Sequence, residues 1–293
     1  MQDKRPVIFG EVLFDCFPDG RRVLGGAPFN VAWHCQAFGL KPLFISRVGV
    51  DAAGQEIQAA MQDWHMDLTG LQQDRDHPTG MVTVSFAAGE PAYHIVENSA
   101  WDFIDVTELP DLDTQGVLYH GSLATRHPLS ANTLEQIHRQ WRGSIFIDVN
   151  LRTPWWSIRQ IESLIRGRQW LKLNRDELAL LVPQKQGVEM QARYLLAHYE
   201  ISLVIITLGA AGAMAIDTHD SWHVKPQTSA TVVDTVGAGD AFSSVLLLGQ
   251  LRGWSLQDTL ERAQQFAGAV VQQQGATSRD AGFYHDFIRD WAL

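Results

Sequence analysis

The segment Asp234-Thr-Val-Gly-Ala-Gly-Asp240-Ala-Phe242 sets three small residues, Gly237, Ala238 and Gly239, directly before an apolar, helix-like run at 241–251. Asp240 stands at the mouth of that run. Free backbone N–H groups at a helix start attract anions, and glycine lets a phosphate approach the main chain closely. A carboxylate beside such an anion hole can take the proton of an attacking hydroxyl. Anion hole plus base is the minimum equipment for moving a phosphoryl group onto an alcohol. The plainer reading is a glycine-rich helix start with an acid favoured by the helix dipole. Gly-Ala-Gly combined with Asp234 and Asp240 favours the chemical reading.

Further residues offer partners for that chemistry. Leu24-Gly25-Gly26-Ala27-Pro28-Phe29-Asn30 puts two glycines before a proline suited to a first helical turn, with Asn30 in that turn. Its amide can face a ligand, although spacing alone favours a tight connection with a solvated Asn. Asp15, near the end of the first strand segment, can bind two sugar hydroxyls; taken alone, an ordinary turn carboxylate is the better reading. In Asp148-Val-Asn150-Leu-Arg152, Arg152 is a candidate phosphate clamp. A capping Asn with a surface Arg fits equally well. Asn174 and Glu177 are three apart and share a face on a helix start. They can orient a hydrated Mg2+ near a triphosphate or form a capping box, and the two readings are compatible. The turn Thr207-Leu-Gly209-Ala-Ala-Gly212 can approach a nucleotide, but hairpins use the same glycine chemistry.

The elements that must position these residues alternate along the chain. Strand segments are expected at 7–10, 43–48, 117–120, 144–149, 170–173 and 203–207. Helices are expected at 28–38, 54–65, 130–142, 158–166, 189–199, 238–252 and 256–273. This alternation, with near-continuous apolar strands, argues for an α/β fold with a mostly parallel central sheet and helices on both faces. Ligands in such sheets bind beyond the carboxyl ends of the strands. Two regions break the pattern. Residues 11–24 and 81–95 read as paired strands, the second turning near Gly89 and Glu90. They suggest a small β lid, with lid strands at about 11–24 and 81–100, on a single domain spanning 1–293.

Composition narrows the classes. The 293 residues, 45% hydrophobic and 19% charged, fit a soluble globule with a sizeable core. A net charge of −10 argues against nucleic acid or an anionic membrane as partner. No uncharged apolar run reaches about 18 residues, and no signal-peptide core precedes the first strand segment. The two cysteines, Cys16 and Cys35, make a disulfide framework unexpected and a reducing, cytoplasmic setting the default. The eleven His show no metal-type spacing. There is no Gly-x-Ser-x-Gly elbow, no Gly-x-x-x-x-Gly-Lys-Ser/Thr loop and no Gly-x-Gly-x-x-Gly after the first strand.

Taken together, these residues resemble a known family. Asp234 to Phe242 looks like the C-terminal signature of the ribokinase-like (PfkB) carbohydrate kinases. Gly25-Gly-Ala-Pro-Phe-Asn-Val-Ala32, with Gly39 and Arg47-Val-Gly-Val-Asp51, looks like the N-terminal one, and Asn174 to Glu177 matches the family's Asn-x-x-Glu element. The blocks stand in the expected order over essentially the whole chain. Gly10 to Asp15, Leu24 to His34, Pro78 to Gly80 and Asn98 to Asp102 most resemble bacterial fructokinases. The resemblance implies a ribokinase-like fold with a β lid over a sugar, ATP and Mg2+ as cofactors, K+ near the anion hole, and homodimerisation through the lid. It implies Asp240 as catalytic base and Gly237, Ala238 and Gly239 as the anion hole. Asp15, Gly25, Gly26 and Asn30 would hold the sugar, with Arg152 on phosphate or substrate. Asn174, Thr207, Gly209 and Gly212 would serve the nucleotide, together with Gly237 and Gly239. Glu177 would serve Mg2+ through water, and Asp234, Val236 and Gly275 the K+. The expected reaction moves the ATP γ-phosphoryl group to a primary sugar hydroxyl, foremost O6 of fructose. Another acceptor (2-keto-3-deoxygluconate, ribose or a nucleoside) stays open. A non-catalytic sugar-binding regulator would show a degraded hole or a missing base, and here both are intact.

Overall fold

The computed structural model describes residues 5–87, 90–167, 169–226 and 232–293. Short β-branched and aliphatic runs supply the strands. They are β1 (Val7–Phe9), β2 (Leu13–Cys16), β3 (Arg22–Gly25), β4 (Leu43–Gly49), β5 (Leu71–Asp74), β6 (Gly80–Ala87), β7 (Glu90–Ile95), β8 (Val117–His120), β9 (Ser144–Asp148), β10 (Trp170–Asn174), β11 (Leu203–Thr207), β12 (Ala213–Ile216) and β13 (Ser221–Val224). The α-helices are α1 (Ala27–Ala37), α2 (Ala52–Asp63), α3 (Pro128–Gln140), α4 (Ile158–Ile165), α5 (Arg175–Leu181), α6 (Val188–Tyr199), α7 (Ala238–Arg252), α8 (Leu256–Val270) and α9 (Gly282–Asp290).

The large sheet runs β13-β12-β11-β10-β9-β8-β1-β4-β5. Every pairing from β11 through β5 is parallel, while β12 and β13 extend one edge antiparallel. Successive strand residues point to opposite faces, and the two cores follow that alternation. Ile8, Phe44 and Ile205 join α1, α2, α7, α8 and α9 on one side. Val7, Phe9, Ile45, Val204 and Ile206 join α3, α4, α5 and α6 on the other. Each fully buried side chain of this size contributes about 1.5–3 kcal/mol of transfer free energy. The chain leaves β1 in one direction toward β4, and β8 takes the opposite flank of β1. That switch point, beyond the carboxyl ends of the strands, is where such sheets open a crevice.

The lid is a four-stranded sheet ordered β3-β2-β6-β7. Both expected hairpins are present, β2 with β3 and β6 with β7, joined by a parallel β2–β6 pairing. The expected turn near Gly89 and Glu90 involves residues 88–89, which lie outside the described residues.

Some elements differ from expectation. β5, Leu-Gln-Gln-Asp, is too polar to show a strand pattern. The Gly209–Gly212 turn feeds the antiparallel β12, the hairpin use of those glycines. Helix α5 grows from the expected Asn174–Glu177 start, and α9 has no counterpart among the expected helices. α3 starts at Pro128 rather than 130 because His127 accepts from the Leu129 N–H and caps it. α8 ends at Val270 rather than 273. Cys16 and Cys35 are free thiols. Among the described residues no helix is long and apolar enough to cross a membrane.

One glycine couples the lid to the first helix. Gly26 caps α1 at φ 109°, and a Cβ there would meet the Glu11 carbonyl oxygen at 2.6 Å. Gly26→Ala is expected to lose about 1–3 kcal/mol of stability. Thermal unfolding should shift down by several degrees, at about 2–4 °C per kcal/mol for a chain of this size. An unchanged midpoint would show that the Glu11 segment yields freely.

Candidate active site

The acceptor side is assembled from three distant segments. Asp15 lies on β2, Gly25 ends β3, and Asn30 sits in the first turn of α1 with its N–H donating to the Gly26 carbonyl at 2.8 Å. A Cβ on Gly25 would lie 3.6 Å from Asp15 Oδ2 and 3.9 Å from Asn30 Oδ1, so both oxygens converge over the bare glycine. Asn30 Nδ2 donates to Asp240 Oδ2 at 2.8 Å. Asn30 Oδ1 is buried with no partner. Asp15, Gly25, Asn30 and Asp240 therefore form one continuous polar surface.

Asp240 belongs to the first turn of α7. Gly237 begins that helix in the left-handed region, φ 78°. A Cβ on Gly237 would come within 2.3 Å of Ala276 Cβ, so the helix start presses directly on the 276 segment. The helical ladder begins with Ala241 N–H to Gly237 O, which leaves the first-turn N–H groups of Gly239 and Asp240 outside it. Part of the Asp240 surface stays accessible, yet burial raises its pKa to about 6. The Asn30 hydrogen bond opposes this, Asp148 adds to it, and the positive charges of Lys172 and Arg152 lower it. Burial likewise raises Asp15 to about 6 and Glu11 to about 7, with Arg152 pulling both down.

Beneath the helix start lies a buried ion pair that sequence reasoning did not single out. Register sets Lys172 of β10 beside Asp148 of β9, and Lys172 Nζ donates to Asp148 Oδ2 at 2.7 Å. The same oxygen accepts from Tyr119 at 3.2 Å and lies 2.8 Å from Ser243 Oγ on α7. Lys172 Nζ would lie 3.5 Å from a Cβ on Gly239, so an ammonium underlies the anion hole. A lysine in the apolar run Trp170-Leu-Lys-Leu173 was the available signal, because a buried lysine requires a partner.

On the other side of α7 opens a cavity of about 1070 Å³. Of the residues expected at the nucleotide, Asn174, Thr207, Gly209, Gly212 and Gly239 line it and Gly237 does not; Ala238, α8 and residues 225–226 complete the wall. Asn174 and Glu177 form the capping box: Asn174 Oδ1 accepts from Glu177 N at 2.9 Å and Glu177 Oε2 from Asn174 N at 2.8 Å. Glu177 Oε1 accepts from Leu151 N at 2.7 Å, which fixes the loop carrying Arg152. Burial pushes Glu177 upward, and these backbone bonds oppose it. Arg152 is exposed, and its Nη1 donates to the Leu151 carbonyl at 3.1 Å.

The residues expected at a monovalent ion also converge. Asp234 Oδ1 accepts from Val236 N and Oδ2 from Gly275 N, each at 3.0 Å. Val233 and Asp234 N–H groups both donate to the Val271 carbonyl. His34, buried and held neutral with its pKa lowered to about 3 by burial, fixes the same segment through the Ala276 carbonyl at 3.0 Å. Among the described residues no group of three or more His, Cys, Asp or Glu side chains could hold a metal.

The model for pfkB family carbohydrate kinases matches residues 16–281. The chain belongs to this family and is a carbohydrate kinase. It is 33% identical to a fructokinase of Escherichia coli over 259 residues, covering 83% of this chain and 83% of that one. Identity to the aminoimidazole riboside kinase of Salmonella typhimurium is 30% over 288 residues, covering 92% and 89%. A crystal structure of fructokinase from Vibrio cholerae with bound fructose, ADP and calcium ion matches with a TM-score of 0.82 at 25% identity, covering 97% and 98%. The fold is ribokinase-like.

A base must be ionised to accept a proton; were Asp240 that base, turnover would fall as pH drops through about 6, to which burial raises its carboxyl group. Asn30→Leu removes the hydrogen bond that favours the ionised form while roughly keeping the volume. Asp240 then titrates higher, and the acid limb of kcat at saturating acceptor is expected to move up by about 1 pH unit. An active variant with an unmoved limb would assign that limb to Asp15 or Glu11 instead.

Proposed function

We propose that this carbohydrate kinase transfers the γ-phosphoryl group of ATP to a primary hydroxyl of a sugar, with O6 of fructose as the leading acceptor. The Asn30–Asp240 hydrogen bond at 2.8 Å carries the reading. It sets a carboxylate between a polar pocket on one side of the α7 start and a nucleotide-sized cavity on the other. Asp15 and Asn30 orient the acceptor over Gly25 and Gly26, and the lid sheet shields it from water, a competing acceptor. Asp240 takes the hydroxyl proton as attack begins. The first-turn N–H groups of the Gly237–Gly239 segment face the transferring phosphoryl, with Lys172 beneath them and Arg152 at the rim.

Asn174, Thr207, Gly209 and Gly212 fit the nucleotide, since they line its cavity. Mg2+ needs only one or two carboxylates besides water and phosphate oxygens. Asn174 and Glu177 would hold its water shell, and the ion would neutralise charge on the phosphates. Asp234, Val236 and Gly275 would frame K+ through the loop that Asp234 draws together. The fructokinase relatives support a hexose. Similarity to aminoimidazole riboside kinase favours a riboside as the second reading. The intact base and helix start weigh against a non-catalytic regulator. Pairing of two copies through the lid is proposed on the outer lid strand β7, where Tyr93 is 55% exposed. Its check is the mass in solution, and a monomer at every concentration would sink it.

A panel of fructose, ribose, 2-keto-3-deoxygluconate and nucleosides with ATP, read as ADP release, tests the acceptor. Fructose should respond most strongly; silence with fructose and a signal with a riboside would transfer the assignment. Asp240→Asn should keep its fold and lose about two to four orders of magnitude in kcat. Near-normal turnover would remove Asp240 from the base role.

A further inference from the structure

Glu11 Oε2, Asn30 Oδ1 and Arg126 Nη1 are among the buried side-chain atoms without a hydrogen-bond partner. Asn30 faces the reaction centre. Glu11 and Arg126 have no part in the chemistry assigned above, and their environments are unusually constrained.

Arg126 follows β8, beyond the carboxyl end of the sheet, and its side chain is 4% exposed. Nε and Nη2 donate to the two oxygens of Asp102 at 2.7 Å each, and Nη2 also donates to the Val96 carbonyl at 2.6 Å. The guanidinium stacks 4.1 Å over the Trp101 ring and 4.7 Å over that of Trp155. Two rings and one edge are thus engaged, and Nη1 is left without a partner. An ion-pair pin would need only the Asp102 edge. A dry donor at Nη1 is unfavourable, so an acceptor oxygen belongs there when the site is filled.

Glu11 places this edge relative to the chemistry. A Cβ on Gly80 would press on Trp101 Nε1 and lie 2.8 Å from the Val12 carbonyl oxygen, so the ring on which Arg126 stacks abuts the main chain that carries Glu11, whose carboxyl group also feels the charges of Arg152, Asp240 and Arg126. The Glu11 main chain packs on Gly26, at the acceptor end of the cleft. A carboxyl oxygen and a guanidinium edge without partners offer an acceptor and a donor to one ligand. A hydroxyl matches both, because it donates and accepts. An anion does not fit: Asp102 already neutralises Arg126, and Glu11, Asp15 and Asp240 put three carboxyl groups against the single charge of Arg152.

We propose that Arg126 and Glu11 form a distal subsite of the acceptor pocket, binding an uncharged hydroxyl at the end of the sugar remote from the one phosphorylated. The subsite selects acceptors that carry such a hydroxyl over deoxygenated or anionic ones. This rests on the sugar-kinase reading above and adds to it a substrate requirement and two specificity residues.

The test measures KM for the best acceptor of the wild type and for its analogue deoxygenated at the remote end; these are fructose and 1-deoxyfructose when fructose is that acceptor. Glu11→Gln and Arg126→Lys should each raise the acceptor KM about tenfold or more while KM for ATP stays constant. The wild type should lose a similar factor on the deoxy analogue, and the variants should lose little further on it. Arg126→Lys keeps a cation facing Asp102, and thermal unfolding checks its fold; if it does not fold, Glu11→Gln decides alone. Unchanged acceptor KM in folded variants overturns the subsite while the kinase reading stands. So does an equal penalty on acceptor and analogue, which marks a purely structural role. A wild type that phosphorylates no acceptor overturns both.

Discussion

The hydrogen bond between Asn30 and Asp240 joins groups 210 residues apart, and the two halves of the site meet through it. It ties the first turn of α1 to the first turn of α7. Both helices are apolar on nearly every face, from Phe29 to Cys35 in one and from Ala241 to Leu248 in the other. A helix of that kind must be buried, so packing fixes both axes and leaves the two N-terminal turns at one rim of the sheet. Burial alone favours the protonated form of Asp240. The Asn30 amide favours the anion. One contact therefore bears on both the position and the charge state of Asp240.

An acidic chain can host a phosphoryl group because positive potential is concentrated at one point. The α7 start supplies partial charge, and the Lys172 ammonium lies against Gly239 beneath it. Asp148 is needed to bury that lysine, yet its repulsion of Asp240 outweighs the attraction of Lys172. Within the pair it is the Lys172 ammonium that faces Gly239, while Asp148 cancels its charge overall. Tyr119 and Ser243 also engage the Asp148 oxygen on which Lys172 rests, which anchors α7 to the sheet through the same carboxylate. The electrostatics of transfer and the seating of the helix thus share one residue.

What could be read beforehand was whatever depends on local pattern. The Gly-Ala-Gly-Asp240 helix start, the Asn174–Glu177 capping box and the alternating parallel sheet follow from spacing within a few residues. Features set by register or by distant packing could not be read in the same way. Lys172 and Asp148 meet because β9 and β10 pair in one register, which neither strand encodes alone. Arg126 reads as an ordinary turn residue until Asp102 and two tryptophans close around it. β5 is polar because its buried residues, Gln72 and Asp74, accept from the Arg47 guanidinium instead of packing in an apolar core. Gly209 and Gly212 carry identical turn signals whether a helix or a hairpin follows.

The acceptor pocket is built against the stability of the protein that carries it. Asp15, Glu11 and Asp240 all have folded pKa values raised by burial, to about 6, 7 and 6. A carboxyl group raised in the folded state favours folding when protonated, and that contribution is lost as pH rises through the folded value. Near neutrality the empty site is therefore a net burden, and unpartnered oxygens on Asn30 and Glu11 add to it. Hydrogen-bond donors relieve this directly, because each bond to a buried carboxylate favours its charged form. On the proposed function, the groups that weaken the free protein would be those that favour a polyhydroxylated ligand. The pocket's selectivity and its instability come from the same buried carboxyl groups, so substitutions that stabilise the empty cleft should be those that blunt its discrimination.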